Sequence, residues 1–222
     1  MNISKREIVK IIKSMSGKYA EGIIFSDWVQ CSAIAIQNGC CLIHDTIWKN
    51  REEQYISIMN KYTLEERKMF VKMLMLLTDA FEEEISDILG EIYMEAGCGS
   101  KQTGQFFTPF HLSYLTAETI LARKVINENE KYEINEPSVG GGGMIIAMAA
   151  VIKNRGINYQ KCMKVTAQDL DWRSVYMAYV QFSLLGIDAE VVQGDSLIQA
   201  YNGSNADKNH ILRTPKRMGM LI

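Results

Sequence analysis

Asn135-Glu136-Pro137-Ser138-Val139-Gly140-Gly141-Gly142-Gly143 is the stretch that decides the fold of this 222-residue chain. Tyr132-Glu133-Ile134-Asn135 leads into it as a strand, and Met144 to Lys153 leaves it with helical spacing of apolar residues. A glycine-rich turn between a strand and a helix exposes backbone amides at a helix N-terminus, where a ligand can lie against the main chain. Glycine reaches the positive φ values of such a turn, and its missing side chain leaves room for the ligand. Taken alone, the stretch is equally compatible with a flexible loop.

Downstream the alternation repeats. Met163-Lys164-Val165-Thr166-Ala167 reads as a second strand, a helix follows from about Arg173 to Leu185, and Ala189-Glu190-Val191-Val192 reads as a third strand. Strands alternating with helices at this spacing imply a parallel sheet with right-handed crossovers. The later strands run into acids, Asp169 in Ala167-Gln168-Asp169-Leu170-Asp171 and Asp195 in Gly194-Asp195-Ser196-Leu197. A carboxylate at Asp169 can accept both hydroxyls of a ribose. It can also cap a helix, a role that suits Asp171 as well. Asp195 is placed to meet an adenine amino group. Three successive strand ends in this order point to an adenosyl ligand. The turn departs from the G-x-G-x-x-G spacing that cradles a pyrophosphate, so S-adenosyl-L-methionine is the expected cofactor and a nicotinamide dinucleotide the weaker reading.

Upstream, from about residue 3 to 96, the pattern is helical. Ser4 is a candidate cap for a helix that turns Ile8, Ile11, Ile12 and Met15 to one side, and Ser26 for a second that stops at Asn38-Gly39. Thr63-Leu64-Glu65-Glu66 fits a capping box opening a helix with Phe70, Met73, Leu74 and Leu77 on one face. A further helix is predicted from Ala80 to Tyr93, ending at Gly97 to Ser100. The methionines of this half fall on apolar stripes, as core filler does. The expected organisation is a helical N-terminal domain over 1–99, followed over 100–222 by a partial Rossmann-like, S-adenosylmethionine-binding α/β domain with a parallel sheet.

Composition narrows the classes. A hydrophobic fraction of 47% with three prolines suits a compact chain, and a formal charge of −2 excludes a wholesale electrostatic grip on nucleic acid. Any DNA contact would use a local basic patch or a partner; Lys208, Arg213, Lys216 and Arg217 read equally as such a patch or as a solvated tail. The five cysteines are scattered with no C-x-x-C pair, which suits reduced thiols and not a disulfide framework or a zinc site; no metal is expected. No apolar run approaches the roughly 20 residues needed to cross a bilayer, and Met1–Lys10 lacks the apolar core of a signal peptide. The expected location is the cytoplasm.

Gly104-Gln105-Phe106-Phe107-Thr108-Pro109 resembles the G-Q-(Y/F)-(F/Y)-T-P signature that precedes the methyltransferase domain in modification subunits of type I restriction-modification systems, members of the N6-adenine DNA methyltransferase family. Glu136-Pro137 with Gly140 to Gly143 resembles that family's D-P-x-x-G-x-G-G motif, with Glu136 in place of the aspartate. Asp169 matches its ribose-binding acid and Asp195 its third motif, and Asp87-Ile88-Leu89-Gly90-Glu91-Ile92-Tyr93 resembles the end of its helical domain. The resemblance implies that Gln105, Phe106, Phe107, Thr108 and Pro109 close over the methionine end of the cofactor, with Thr108 hydrogen-bonding its carboxylate. Phe106 and Phe107 would pack against the ligand, or else anchor the linker to the core.

The family methylates adenine through an N/D-P-P-aromatic motif at the end of the fourth strand, whose polar groups hold the target amino group while the ring stacks on the flipped base. Pro109, Pro137 and Pro215 are never adjacent here, so that motif is not among these residues. Ser196–Ile222 is too short for the family's remaining strands, so the expectation is a domain cut before its catalytic motif, by nature or by truncation of a gene. Two readings follow. The chain is the cofactor-binding part of an N6-adenine DNA methylase, acting on DNA with a partner subunit that supplies catalysis and target recognition. Alternatively it is a non-catalytic cofactor-binding interaction module that needs a partner chain, an accessory of a mobile genetic element or a decoy subunit for a restriction system. Methylation of RNA or protein is a third, disfavoured by the same missing motif.

Overall fold

The computed structural model describes residues 3–98 and 107–220. These divide into two compact units, one drawn from Met1–Glu84 and Ile88–Phe106, the other from Ile85–Asp87 and Phe107–Ile222.

The first unit is helical: α1 (Ile3–Met15), α2 (Glu21–Gly39), α3 (Thr46–Met59), α4 (Leu64–Glu83) and α5 (Ile88–Glu95). In α1 the predicted face is buried, with Ile8 and Ile12 fully inside, although Ser4 lies within the helix and not before it. Ser26 is likewise internal to α2. Its hydroxyl donates to the Gly22 carbonyl at 2.7 Å, and the helix begins six residues earlier than its cap would require. Thr63 and Glu66 form the expected reciprocal capping box. The single helix predicted from Ala80 to Tyr93 is two. The chain turns extended at Glu84 (φ −151, ψ 148) and sends Ser86 and Asp87 into buried positions before α5 starts. Apolar spacing carries across this break, so periodicity alone hides it. Helix α3 escaped the pattern because only Ile58 of its side chains is buried; its signal is Asp45, whose carboxylate accepts the Trp48 N–H at 2.9 Å.

In the second unit α6 (Phe110–Leu121) precedes β1 (Tyr132–Glu136), α7 (Gly143–Asn154), the short α8 (Tyr159–Cys162), β2 (Met163–Asp169), α9 (Trp172–Leu184), β3 (Asp188–Gln193) and β4 (Ile211–Arg213). The sheet order is β1-β2-β3-β4; β1, β2 and β3 pair in parallel, with Ile134 opposite Val165 and Val165 opposite Ala189. The mixed α/β class with a parallel sheet is as expected. The antiparallel edge strand β4 was not; three residues, Ile-Leu-Arg, are too few for a period to show. Ion pairs line that edge. Arg213 Nε lies 2.7 Å from Glu190 and Arg217 3.2 Å from Asp188, so both guanidinium groups, read as candidates for phosphate, face carboxylates of β3. The five cysteines form no disulfide among the described residues. No helix among the described residues is long and apolar enough to cross a membrane.

Candidate functional site

Parallel strands deliver their carboxyl ends to one edge of the sheet, where ligands of open α/β sheets bind. Glu136, Asp169 and Gln193 are the last residues of β1, β2 and β3. Register places Gln193 directly opposite Asp169. The glycine run follows β1 and the Asp195 loop follows β3.

Asp169 joins these loops. Its Oδ2 accepts the Gly140 N–H at 2.8 Å across 29 positions of sequence, and its Oδ1 accepts the Asp171 N–H at 3.0 Å. Its main-chain carbonyl accepts the Gly194 N–H at 2.9 Å. A carboxylate offers about four lone-pair sites, so capacity for about two more donors remains after Gly140 and Asp171. Asp171 is the N-cap of α9, its side chain accepting the Arg173 N–H.

The turn itself runs through left-handed backbone at Gly140 (φ +54) and Gly142 (φ +99), and Gly142 caps α7. A Cβ on Gly142 would stand 2.7 Å from Phe182, which shows how closely α7 and α9 approach there. Phe107 lies on the other loop of the resemblance, its ring 3.4 Å from where a Cβ on Gly140 would be. That contact is with the glycine turn. Thr108 is exposed, and Pro109 is the cap position of α6. Gln105 and Phe106 lie outside the described residues.

Glu136 is half-buried. Burial pushes its carboxyl above the ordinary range, the Ser138 N–H opposes the shift, and the charge of Asp169 adds to it. Asp195 spends Oδ1 on the N–H groups of Leu197 (2.9 Å) and Ile198 (3.2 Å), an internal brace for its own loop. Asn202, a polar group past the third strand, accepts from Ser204 and Asn205 and so shapes a turn.

Sequence reasoning passed over the apolar side of this edge. Leu170, just after Asp169, is 66% exposed, and Leu197, two residues after Asp195, is 96% exposed. Two glutamines set their loops by reaching across to each other's side. Gln168 of β2 is buried and holds the loop after β3, donating to the Gln199 carbonyl at 3.1 Å and accepting the Tyr201 N–H at 3.0 Å. Gln193 of β3 donates to the Leu170 carbonyl at 2.7 Å. The available signal was an apolar residue soon after each strand-end acid.

A strand–glycine turn–helix whose turn is tied to the acid ending the next strand is the architecture of a nucleoside-type cofactor domain. The family model of N-6 DNA methylases matches residues 84–215, and the chain belongs to that family. Among solved structures, a chain from Listeria monocytogenes provisionally described as a class I S-adenosylmethionine-dependent methyltransferase aligns over 81% of this chain with 14% identity and a TM-score of 0.45. This chain covers 56% of that structure's length. No curated relative matches.

Proposed function

We propose that this chain is the S-adenosylmethionine-binding part of a DNA methylase acting on the N6 amino group of adenine, of the modification-subunit type found in restriction-modification systems. The observation that carries the reading is Asp169, which ties the glycine turn to the second strand end and keeps acceptor capacity for two ribose hydroxyls. The residues suit the ligand in three further ways. Gly140 to Gly143 present main chain without side chains, Leu170 and Leu197 offer apolar surface for a purine, and Asp195 stands by the second of these. Thr108 and Pro109, with Gln105 to Phe107, are assigned to the methionine end. When bound, the cofactor would supply an electrophilic methyl group. This chain's part is to bind and orient it. The restriction-modification context and a DNA substrate rest on the family and on the Gly104–Pro109 signature, and a cytoplasmic location accords with cysteines that form no disulfide.

Isothermal titration tests the reading. Heat of binding is expected with S-adenosylmethionine at high micromolar protein, and Asp169→Ala should weaken it by about 1.5–3 kcal/mol, the worth of hydrogen bonds to a charged group. No heat with the wild type, or an unchanged affinity in the variant, would sink it.

A second reading is favoured by one feature: β1 is at the edge of the sheet, with β2 its partner among the described strands. Edge strands invite pairing with further chain. On this reading the protein is a cofactor-binding interaction module, and copurification from its native host separates the two. A partner carrying N-P-P-F supports a split enzyme, an intact modification complex supports an accessory or decoy role, and a lone monomer counts against both partner-dependent forms.

A further inference from the structure

A carboxylate taken out of water must be hydrogen-bonded to be tolerated, and Asp87 is only 4% exposed. Its Oδ1 accepts from Gln181 Nε2 at 2.7 Å, across 94 positions of sequence. The same nitrogen donates to the Gly141 carbonyl, also at 2.7 Å. An amide nitrogen has two donor hydrogens, and Gln181, fully buried in α9, therefore divides them between Asp87 and the glycine turn. The carboxylate also touches the turn directly. Oδ1 lies 3.4 Å from where a Cβ on Gly141 would stand, and Oδ2 lies 3.1 Å from the corresponding point on Gly143. Gly143 opens α7, where unsatisfied amides and the helix dipole favour negative charge. The turn is thus held at two places, by Asp169 at Gly140 and by Asp87 with Gln181 at Gly141 to Gly143.

We propose that Asp87 is a positioning residue for the cofactor, acting through Gln181 and the first turn of α7 to keep Gly140–Gly143 in the shape that receives the ligand. The proposal rests on the cofactor reading above and assigns Asp87 no contact with reacting atoms. Without the carboxylate, the Gln181 amide loses one of its two buried acceptors and can turn away from Gly141. A side chain 54 positions before the turn then governs its geometry.

The test uses the full chain and three variants: Asp87→Ala, Asp87→Asn, and Val165→Ala as a control that loosens the core of β2 away from the turn. Affinity for S-adenosylmethionine is measured well below each melting temperature, together with amide hydrogen exchange. Asp87→Ala should weaken binding by about tenfold, the effect of one lost buried hydrogen bond, and speed exchange at Gly140–Ile145. Asp87→Asn retains an acceptor for Gln181 but turns an NH2 toward the N-terminus of α7, so it should fall between alanine and wild type. It carries the test with the same readouts if the alanine variant does not fold. Val165→Ala should lower the melting temperature and leave affinity within about twofold. Wild-type affinity in the Asp87 variants, or an equal loss in Val165→Ala at equal loss of stability, overturns the proposal. If the wild type binds no cofactor, the functional reading fails, and exchange alone decides Asp87: unchanged protection at Gly140–Ile145 overturns its role.

Discussion

Glu136 ends β1 beside the turn with its carboxyl raised by burial foremost, and further by the charge of Asp169. A raised pKa means that the folded state prefers the proton more than the unfolded chain does. The associated stability is fully present below the unfolded value, about 4.3, and is lost as pH rises through the folded value. Replacing the acid by its neutral isostere removes that loss. Glu136→Gln should therefore melt at a higher temperature than wild type at pH 7 and show no such gain at pH 4, in paired thermal melts without cofactor. An equal difference at both pH values would refute the assignment. At this scale the glycines and Asp169 were legible, because their meaning follows from following a strand. Leu170 and Leu197 were not, since an apolar residue says nothing of its exposure until the loop is placed. Asp87 was legible only as part of a resemblance; its partners Gly141 and Gln181 lie far along the chain.

Between elements, the antiparallel edge hangs on Thr214. Its hydroxyl is fully buried, accepts the Ala189 N–H at 3.0 Å and donates to the Ile187 carbonyl at 2.7 Å, extending the β3–β4 ladder with a side chain. Thr214→Val keeps the shape and strands the Ala189 amide, so a loss of about 1–3 kcal/mol is expected in denaturant unfolding. A loss under about 0.5 kcal/mol would show that the main chain alone, through Thr214 N–H to the Ala189 carbonyl, holds this edge. Capping chemistry was the most readable element signal. Thr63 and Asp171 do as their sequence context says, whereas the break at Glu84 interrupts an unbroken apolar period and Ser26 has the residue type of a cap without the backbone of one.

For the whole molecule, the proposed function separates binding from chemistry. The adenine amino nitrogen is a poor nucleophile because its lone pair is delocalised into the ring, and transfer depends on fixing that nitrogen and polarising its hydrogens. No N-P-P-aromatic motif occurs among the 222 residues. This chain by itself is expected to transfer no tritiated methyl group to unmethylated genomic DNA above a Gly142→Trp control. Incorporation mapped to N6-methyladenine by nuclease digestion and mass spectrometry would overturn that expectation. The α/β class was legible because three strands and two crossovers are long enough to show their periods. The extra edge strand was not, because its three residues have no period of their own.

The second unit is discontinuous, since it takes Ile85–Asp87 from between two helices of the first. Heredity treats such a unit differently from a contiguous one. A single crossover anywhere between residues 88 and 106 would hand a recombinant the body of one ancestor's sheet unit and three residues of another's. Halves exchanged between diverged homologues at that seam should keep the turn in shape only where the two parents carry compatible residues at 85–87 and at 140–143. On the proposed role of Asp87, substitutions at 85–87 and in the glycine turn are expected to depend on one another, although more than fifty positions separate them in the gene.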